Sequence, residues 1–128
     1  MVEELIAFEM EVSVIVARNS NGDVKTFPMV AMEFDPEANL VEFLYSPSGY
    51  SPQIEKKGSL IAKSIAEKSQ LVGVLAVEMF LTKDGGILVN EIAPRPHNSG
   101  HQTIEGNITS QYEQHLRSIL NLDRKSVV

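Results

Sequence analysis

The sequence has no cysteine among its 128 residues, which excludes disulfides, thiolate metal sites and a cysteine nucleophile. It is also short of basic residues, with 11 Lys and Arg against 17 Asp and Glu and a formal net charge of -6. Proteins that bind nucleic acids or membrane surfaces generally carry a basic patch. The composition therefore argues against both classes, although a small basic pocket for an anion stays compatible with it.

Long apolar runs and export signals are missing as well. No apolar run is long enough to span a bilayer, and the acidic start MVEELIAFEME lacks the basic region of a signal peptide. Neither a Gly-x-Ser-x-Gly motif nor a Walker loop occurs. We therefore expect a cytoplasmic protein, and the length and the 43% apolar content suit a single domain over 1–128.

Apolar periodicity predicts strands separated by tight turns, and two helices. The strands are predicted over 8–17, 24–34, 40–45, 71–81 and 87–93, the first of them with one buried face. One helix is predicted from Pro52, capped by Ser51, to about Ser69. This order predicts the α+β class, with an antiparallel sheet and helices packed on one face.

A second helix is predicted to begin at the segment Ser110-Gln111-Tyr112-Glu113, which has the spacing of a capping box. The remaining tail, 121–128, is expected to fray. The apolar stripe of this helix is formed by Tyr112, Leu116, Ile119 and Leu120.

Two glutamates lie on the strands that flank the turn at Asp84-Gly85. If that turn has two residues, Phe80 faces Val89 and Glu78 faces Glu91, with their Cβ atoms about 5 Å apart on one sheet face. A turn shifted by one residue would make the glutamates diagonal neighbours. A three-residue loop would instead place them on opposite faces.

Like charges directly opposite each other in a sheet are destabilising, and three explanations are open. A divalent cation such as Mg²⁺ could bind both carboxylates. The two groups could instead share a proton at a raised pKa. They could also lie on a solvated face and repel each other weakly.

Polar side chains of different chemistry follow the last predicted strand in the run VNEIAPRPHNSGH, from Val89 to His101. Pro94 and Pro96 restrict the backbone between them. Taken alone, Arg95 suits a surface ion pair, and His97 and His101 suit loop histidines that bond to backbone groups.

Three runs together carry a resemblance to a known family: Ala76-Val77-Glu78, the stretch from Asn90 to His101, and the stretch from Ser110 to Leu116. They resemble the N5-carboxyaminoimidazole ribonucleotide synthetase family of ATP-grasp ligases, the ATP-dependent subunit of phosphoribosylaminoimidazole carboxylase. The segment 8–18 is also similar. The resemblance implies that the chain is the second lobe of the ATP-grasp module and that family members are much longer.

The resemblance also implies a reaction and its cofactors. The family carboxylates 5-aminoimidazole ribonucleotide with bicarbonate in purine biosynthesis, using ATP and Mg²⁺ and proceeding through carboxyphosphate. A homodimeric parent protein is compatible with it. The 128 residues alone are expected to be inactive, because the lysines and the phosphate-covering loop of the other lobe are not among them.

Individual site residues follow from matching the family's motifs. Glu78 and Glu91 match the Mg²⁺ ligands, and Asn90 with Glu91 would lie against the ATP phosphates. Glu11 matches the acid that binds the ribose hydroxyls, since a carboxylate can accept two hydrogen bonds. The backbone of an adenine-binding hinge would be formed by Glu3, Glu4, Leu5 and Ile6.

The run from Val89 to His101, called the polar run below, would hold the second substrate, bicarbonate. Arg95 is a planar, permanent cation that suits bicarbonate or carboxyphosphate. His97 and Asn98 would line the same oxyanion site, by analogy with related carboxylating enzymes. These three are the candidate catalytic residues.

One departure from the family and two alternative functions accompany this interpretation. Many members read Glu-Asn-Ile-His where this chain has Ala31-Met32-Glu33-Phe34, so a histidine contact to the nucleotide is expected to be missing. The lobe could belong to another ATP-grasp ligase, of the formate-dependent transformylase or biotin carboxylase type; the run from Arg95 to His101 argues against this. It could also be a non-catalytic nucleotide- or cation-binding module.

Overall fold

The computed structural model describes residues 4–35, 37 and 41–122. Its strands are β1 (Met10–Arg18), β2 (Val24–Thr26), β3 (Val30–Phe34), β4 (Val41–Tyr45), β5 (Gly73–Leu81) and β6 (Ile87–Ala93). Its helices are α1 (Pro52–Lys68), a 3-10 helix (Asn98–Gly100), α2 (Thr103–Gly106) and α3 (Gln111–Ile119).

The strands form an antiparallel sheet in the order β4-β3-β1-β5-β6, with β2 paired to the end of β1. The predicted α+β class with an antiparallel sheet is confirmed. The predicted return strand over 24–34 is divided into β2 and β3 by Phe27, Pro28 and Met29. Phe27 and Met29 are fully buried, so the interruption itself packs into the core.

Both predicted helix starts are confirmed in detail. The Ser51 hydroxyl accepts a hydrogen bond from the backbone N–H of Ile54, and Pro52 is the first helical residue of α1. The Ser110 hydroxyl accepts from the N–H of Glu113 at 3.2 Å. These caps satisfy N–H groups that have no partner within the helix.

The central strands β1 and β5 are buried on both faces, which corrects the expectation of a single buried face for the first strand. One face packs against α1, through the group Val12, Val14, Val16, Leu75, Val77, Met79, Ala62 and Ala66. The other face has its own apolar group, formed by Ile15, Ala17, Phe27, Val74, Ala76 and Ala93. β1 and β5 lie between other strands and between two layers, so both sides of each are covered.

Helical segments therefore lie on both sheet faces, which corrects the expectation that they share one. The second face carries α3 and the 3-10 helix. Val74 N donates to His115 Nδ1 of α3 at 3.1 Å, and the hydroxyls of Ser13 and Ser99 are 2.8 Å apart.

The apolar stripe of α3 points away from the sheet. Its four predicted members are all exposed, whereas Gln111, Gln114 and Ser118 face inward and are buried. A Cβ at Gly73 would lie 2.8 Å from the His115 ring, so the helix approaches the sheet closely and through polar side chains. Of the tail predicted to fray, only Asn121 and Leu122 lie within the described residues.

In the part of the chain that the structure describes, every helix is too short or too polar to cross a membrane.

Candidate functional site

The hairpin between β5 and β6 differs from the predicted two-residue turn. Thr82 N donates to Gly86 O at 2.9 Å, so the loop between them has three residues. Next to this loop Met79 pairs with Val89 and Phe80 with Leu88. The predicted pairing of Phe80 with Val89 is therefore wrong.

A β-bulge at Asn90 reverses the effect of the longer loop. The register shifts between Glu78 and Met79, so that Met79 pairs with Val89 while Glu78 pairs with Glu91. Asn90 is the extra residue on β6, and a bulge of this kind moves the register by one. Loop and bulge compensate for each other. The two carboxylates lie directly opposite on one face, as the sequence predicted by a different route.

The carboxylates continue into a polar row across three strands. Glu78 pairs with Glu91 on one side and with Ser13 of β1 on the other. Glu11 lies two residues before Ser13, opposite Phe80, and therefore projects from the same face. The rings of Phe80 and Phe8 stack at 4.6 Å beside it. Sequence reasoning assigned Ser13, Phe8 and Phe80 no role in the site.

Burial and charge act together on the acids of this row. Burial raises the pKa of Glu78 above its ordinary value; His97 and Arg95 counteract the effect and Glu91 adds to it. The pKa of Glu11 is raised by burial and then by the charge of Glu78. The ionised forms of Glu78 and Glu11 are therefore less favourable on this face than in water.

This pair of carboxylates suits a cation that takes its other ligands from elsewhere. Within the described ranges, no group of three or more His, Cys, Asp or Glu side chains is arranged to hold a metal ion. Mg²⁺ is commonly bound by one or two carboxylates, with water and substrate phosphates as the other ligands. Glu78 and Glu91 fit that pattern.

The polar run after β6 returns to the carboxylates. His97 Nε2 lies 3.4 Å from Glu78 Oε1. Ser99 N donates to His97 Nδ1 at 3.3 Å, and the Ser99 hydroxyl lies 3.0 Å from the same atom. Because Nδ1 accepts, the proton of the neutral ring is on Nε2, which faces Glu78. His97 therefore lies beside Glu78, at the end of the sheet that carries the paired carboxylates.

Arg95 and Asn98 are both exposed on this run. Arg95 Nη1 donates to Pro96 O at 3.1 Å, which draws the guanidinium back along its own loop. Asn98 begins the 3-10 helix, and its carbonyl accepts from His101 N at 3.1 Å. The remaining histidines are placed by the fold, since His115 binds Val74 N and His101 stacks on Tyr112.

The predicted adenine hinge lies at the other end of the face. Glu4, Leu5 and Ile6 precede β1, and Leu5 is 96% exposed. Glu9 N donates to Leu81 O, so this segment enters the sheet beyond Phe80, away from the polar run. Glu3 lies outside the described residues.

A family model described as the ATP-grasp domain matches residues 1–112. The chain belongs to the ATP-grasp family. It is 46% identical to the N5-carboxyaminoimidazole ribonucleotide synthase of Bacillus subtilis over 122 residues, which is 95% of this chain and 32% of that protein. The predicted family resemblance is confirmed.

Solved structures are similar to this ATP-grasp chain in the same way. It is similar to an N5-carboxyaminoimidazole ribonucleotide synthetase solved as an ADP complex, with a TM-score of 0.93 and 43% identity, covering 98% of this chain and 33% of the other. It is also similar to the Aspergillus clavatus synthase solved with ADP and 5-aminoimidazole ribonucleotide. That match has a TM-score of 0.82 and 37% identity, and covers 94% of this chain and 31% of the other. The chain thus spans about a third of the length of these relatives.

Proposed function

We propose that this ATP-grasp lobe is part of a ligase that carboxylates 5-aminoimidazole ribonucleotide with bicarbonate and ATP, through carboxyphosphate, in purine biosynthesis. The observation that carries the proposal is the pairing of Glu78 with Glu91 beneath the polar run that bears His97 and Arg95. The similarity to N5-carboxyaminoimidazole ribonucleotide synthases supports it. These relatives also favour it over the transformylase and biotin carboxylase alternatives.

Glu78 and Glu91 would hold Mg²⁺ together with the nucleotide phosphates. The ion would neutralise charge on the phosphate oxygens and orient them. The raised pKa of Glu78, which burial causes and the charge of Glu91 increases, supports this role, because a nearby cation would stabilise the ionised carboxylate. Asn90 lies at the bulge between these strands and would approach the phosphates from the edge of the sheet.

Glu11 would accept hydrogen bonds from the ribose hydroxyls, since a carboxylate suits a diol. It projects from the same sheet face as Glu78, two residue pairs closer to the hinge. The backbone of Glu4, Leu5 and Ile6, preceded by Glu3, would bind the adenine. ATP would therefore lie along the face with its phosphates towards Glu91.

Arg95, His97 and Asn98 would hold bicarbonate and stabilise the charge that develops as carboxyphosphate forms. A guanidinium offers paired donors that match a planar oxyanion. The Nε2–H of His97 is aimed at the carboxylate row and could donate to an oxyanion beside it. The phosphates, the cation and bicarbonate would thus meet at one end of the sheet. The homodimer and the cytoplasmic location stay predictions.

The test uses the longer protein that contains this lobe. Phosphate release should require ATP, bicarbonate and 5-aminoimidazole ribonucleotide together, and formate or biotin should not replace bicarbonate or the ribonucleotide. Glu91→Gln should abolish the release. Glu67→Gln, at an exposed position on α1, is the matched control and should leave it unchanged.

Two results would refute the proposal. One is a formate- or biotin-dependent product, and the other is full activity in Glu91→Gln. The 128-residue chain alone should show no ATP hydrolysis, because it spans only about a third of its relatives. Phosphate release from the chain alone, lost in Glu91→Gln, would show that the rest of the protein is not needed.

A further inference from the structure

Gln111, the first residue of α3, is a polar side chain with 0% exposure. Its amide reaches back to the backbone of His97, where His97 N donates to Oε1 at 2.9 Å and Nε2 donates to His97 O at 2.8 Å. Both ends of the amide thus pair with the peptide groups of one residue. The reversed amide would set donor against donor and acceptor against acceptor, so its orientation is determined by the contacts.

The surroundings of Gln111 leave it little freedom to move. Its own N–H donates to Thr103 Oγ1 at 2.8 Å, and the Thr103 hydroxyl donates to Gly100 O at 2.6 Å. A Cβ at Gly100 would collide with the amide of Gln111. The start of α3, α2 and the 3-10 helix are therefore joined into one unit around this side chain.

The His97 ring is held on its other side by the sheet. Ser99 bonds to Nδ1, the Ser99 hydroxyl bonds to Ser13 of β1, and Nε2 faces Glu78. The ring can keep this place only if the His97 backbone is held at the right height above the sheet. Gln111 supplies the contacts that do so.

We propose that Gln111 is a positioning residue, which holds the backbone of His97 so that the imidazole stands over Glu78. The inference depends on the proposed function only for the reaction that His97 serves. Without the amide, the N–H and C=O of His97 would bond to water and the loop could move. A shift of about 1 Å in a group that binds substrate can slow a reaction by up to about a hundredfold.

The first test compares Gln111→Met with Gln114→Met in the 128-residue chain. Gln114 lies one turn along the same buried side of α3 and is 4% exposed. Among the described residues, its amide oxygen has no hydrogen-bond partner, so the two variants remove similar side chains with different contacts. The readout is the pair of ring nitrogen signals of His97 in NMR spectra at fixed pH, with circular dichroism to establish folding.

Gln111→Met should change the His97 ring signals from the single Nε2–H form to an average of both neutral forms, and Gln114→Met should leave them unchanged. Unchanged His97 signals in a folded Gln111→Met chain would overturn the inference. Gly100→Ala is a second variant, expected to act like Gln111→Met because the added methyl displaces the amide.

Should both variants fail to fold, amide exchange in the unaltered chain decides the matter. His97 N–H should exchange slowly, since it is bonded to a buried oxygen. Exchange of the His97 N–H at the rate of a free loop would refute the proposed role of Gln111.

Kinetics in the longer protein separate positioning from stability. Gln111→Met should lower kcat, by up to about a hundredfold, and weaken the response to bicarbonate, while the KM for ATP stays unchanged. Gln114→Met should leave all three unchanged. Equal losses in both variants would indicate a general structural role and overturn the inference. If the unaltered longer protein makes a different product while the His97 signals respond as expected, the proposed function fails and the positioning role stands.

Discussion

The two faces of the central strands are held by different kinds of contact. On one face, alternate residues of β1 and β5 pack against the small side chains of α1, and the group is apolar throughout. On the other face, the segment after β6 is attached largely through hydrogen bonds, among them Ser13 to Ser99 and Val74 N to His115. The three candidate site acids on the sheet, Glu11, Glu78 and Glu91, project from this second face.

The two kinds of contact have different consequences: one sets the stability of the fold, and the other sets the position of polar side chains. Apolar burial is non-directional and scales with area, at about 25 cal/mol per Å². A hydrogen bond contributes only about 1 kcal/mol net, but it requires a specific distance and angle. The α1 face therefore decides whether the chain folds, and the second face decides where its polar side chains lie.

The largest expected effect on this comparison comes from Leu75→Ala. Leu75 is buried on the α1 face, and removing such a side chain costs about 2–5 kcal/mol of unfolding free energy. Ser13→Ala, on the opposite face of the neighbouring strand, should cost about 1 kcal/mol and yet change the His97 ring signals. Urea denaturation and NMR of both variants would check this. If Ser13→Ala were the more destabilising, the two faces would not differ as described.

The second prediction concerns Arg95 in the longer protein. If Arg95 holds bicarbonate, Arg95→Ala removes a fixed cation and should slow turnover by about a hundredfold, equivalent to about 3 kcal/mol. Arg95→Lys should also fail, because an ammonium cannot reproduce the paired donors of a guanidinium. Kinetics with bicarbonate and ATP varied separately provide the measurement. Normal turnover in Arg95→Ala, or loss of ATP binding alone, would exclude Arg95 as the bicarbonate anchor.

The smallest expected effect is a change in pH dependence. Folding raises the pKa of Glu11 above the reference value of 4.5, through burial and then the charge of Glu78. The protonated form is therefore favoured in the folded chain, and stability is lost as the pH rises through the folded pKa. Glu11→Gln should remove this loss. The stability of the variant relative to the unaltered chain should therefore be greater at pH 7 than at pH 4. Urea denaturation at both pH values, with Glu67→Gln as the control, would test the sign.

Local features were predictable because they depend on neighbours in the sequence. The caps at Ser51 and Ser110 need only a hydroxyl and an N–H a few residues on, and both are found. The pairing of Glu78 with Glu91 was predicted correctly, although the pairing of Phe80 with Val89 was not. The loop is longer than predicted, and the bulge at Asn90 restores the register. Neither irregularity has a distinctive local pattern in this sequence.

Features that depend on distant residues could not be predicted in the same way. Periodicity identified the apolar stripe of α3 but not its direction, because the inward side is set by where Gln111 and His115 meet partners on other segments. Ser13 could have been noticed as a polar residue within a strand of mostly apolar ones. Nothing in the sequence near Gln111, apart from its place in a capping box, indicated its role, since its partner lies fourteen positions away.

The hairpin loop and the bulge at Asn90 also bear on how the length of this segment can vary during evolution. Each irregularity holds one residue more than a regular hairpin with a two-residue turn would need. Deleting Asn90 would leave a regular ladder, and shortening the loop by one residue would leave a two-residue turn. Either change would keep Glu78 opposite Glu91. The segment can therefore lose one residue at two separate places without separating the carboxylates that the proposed chemistry requires.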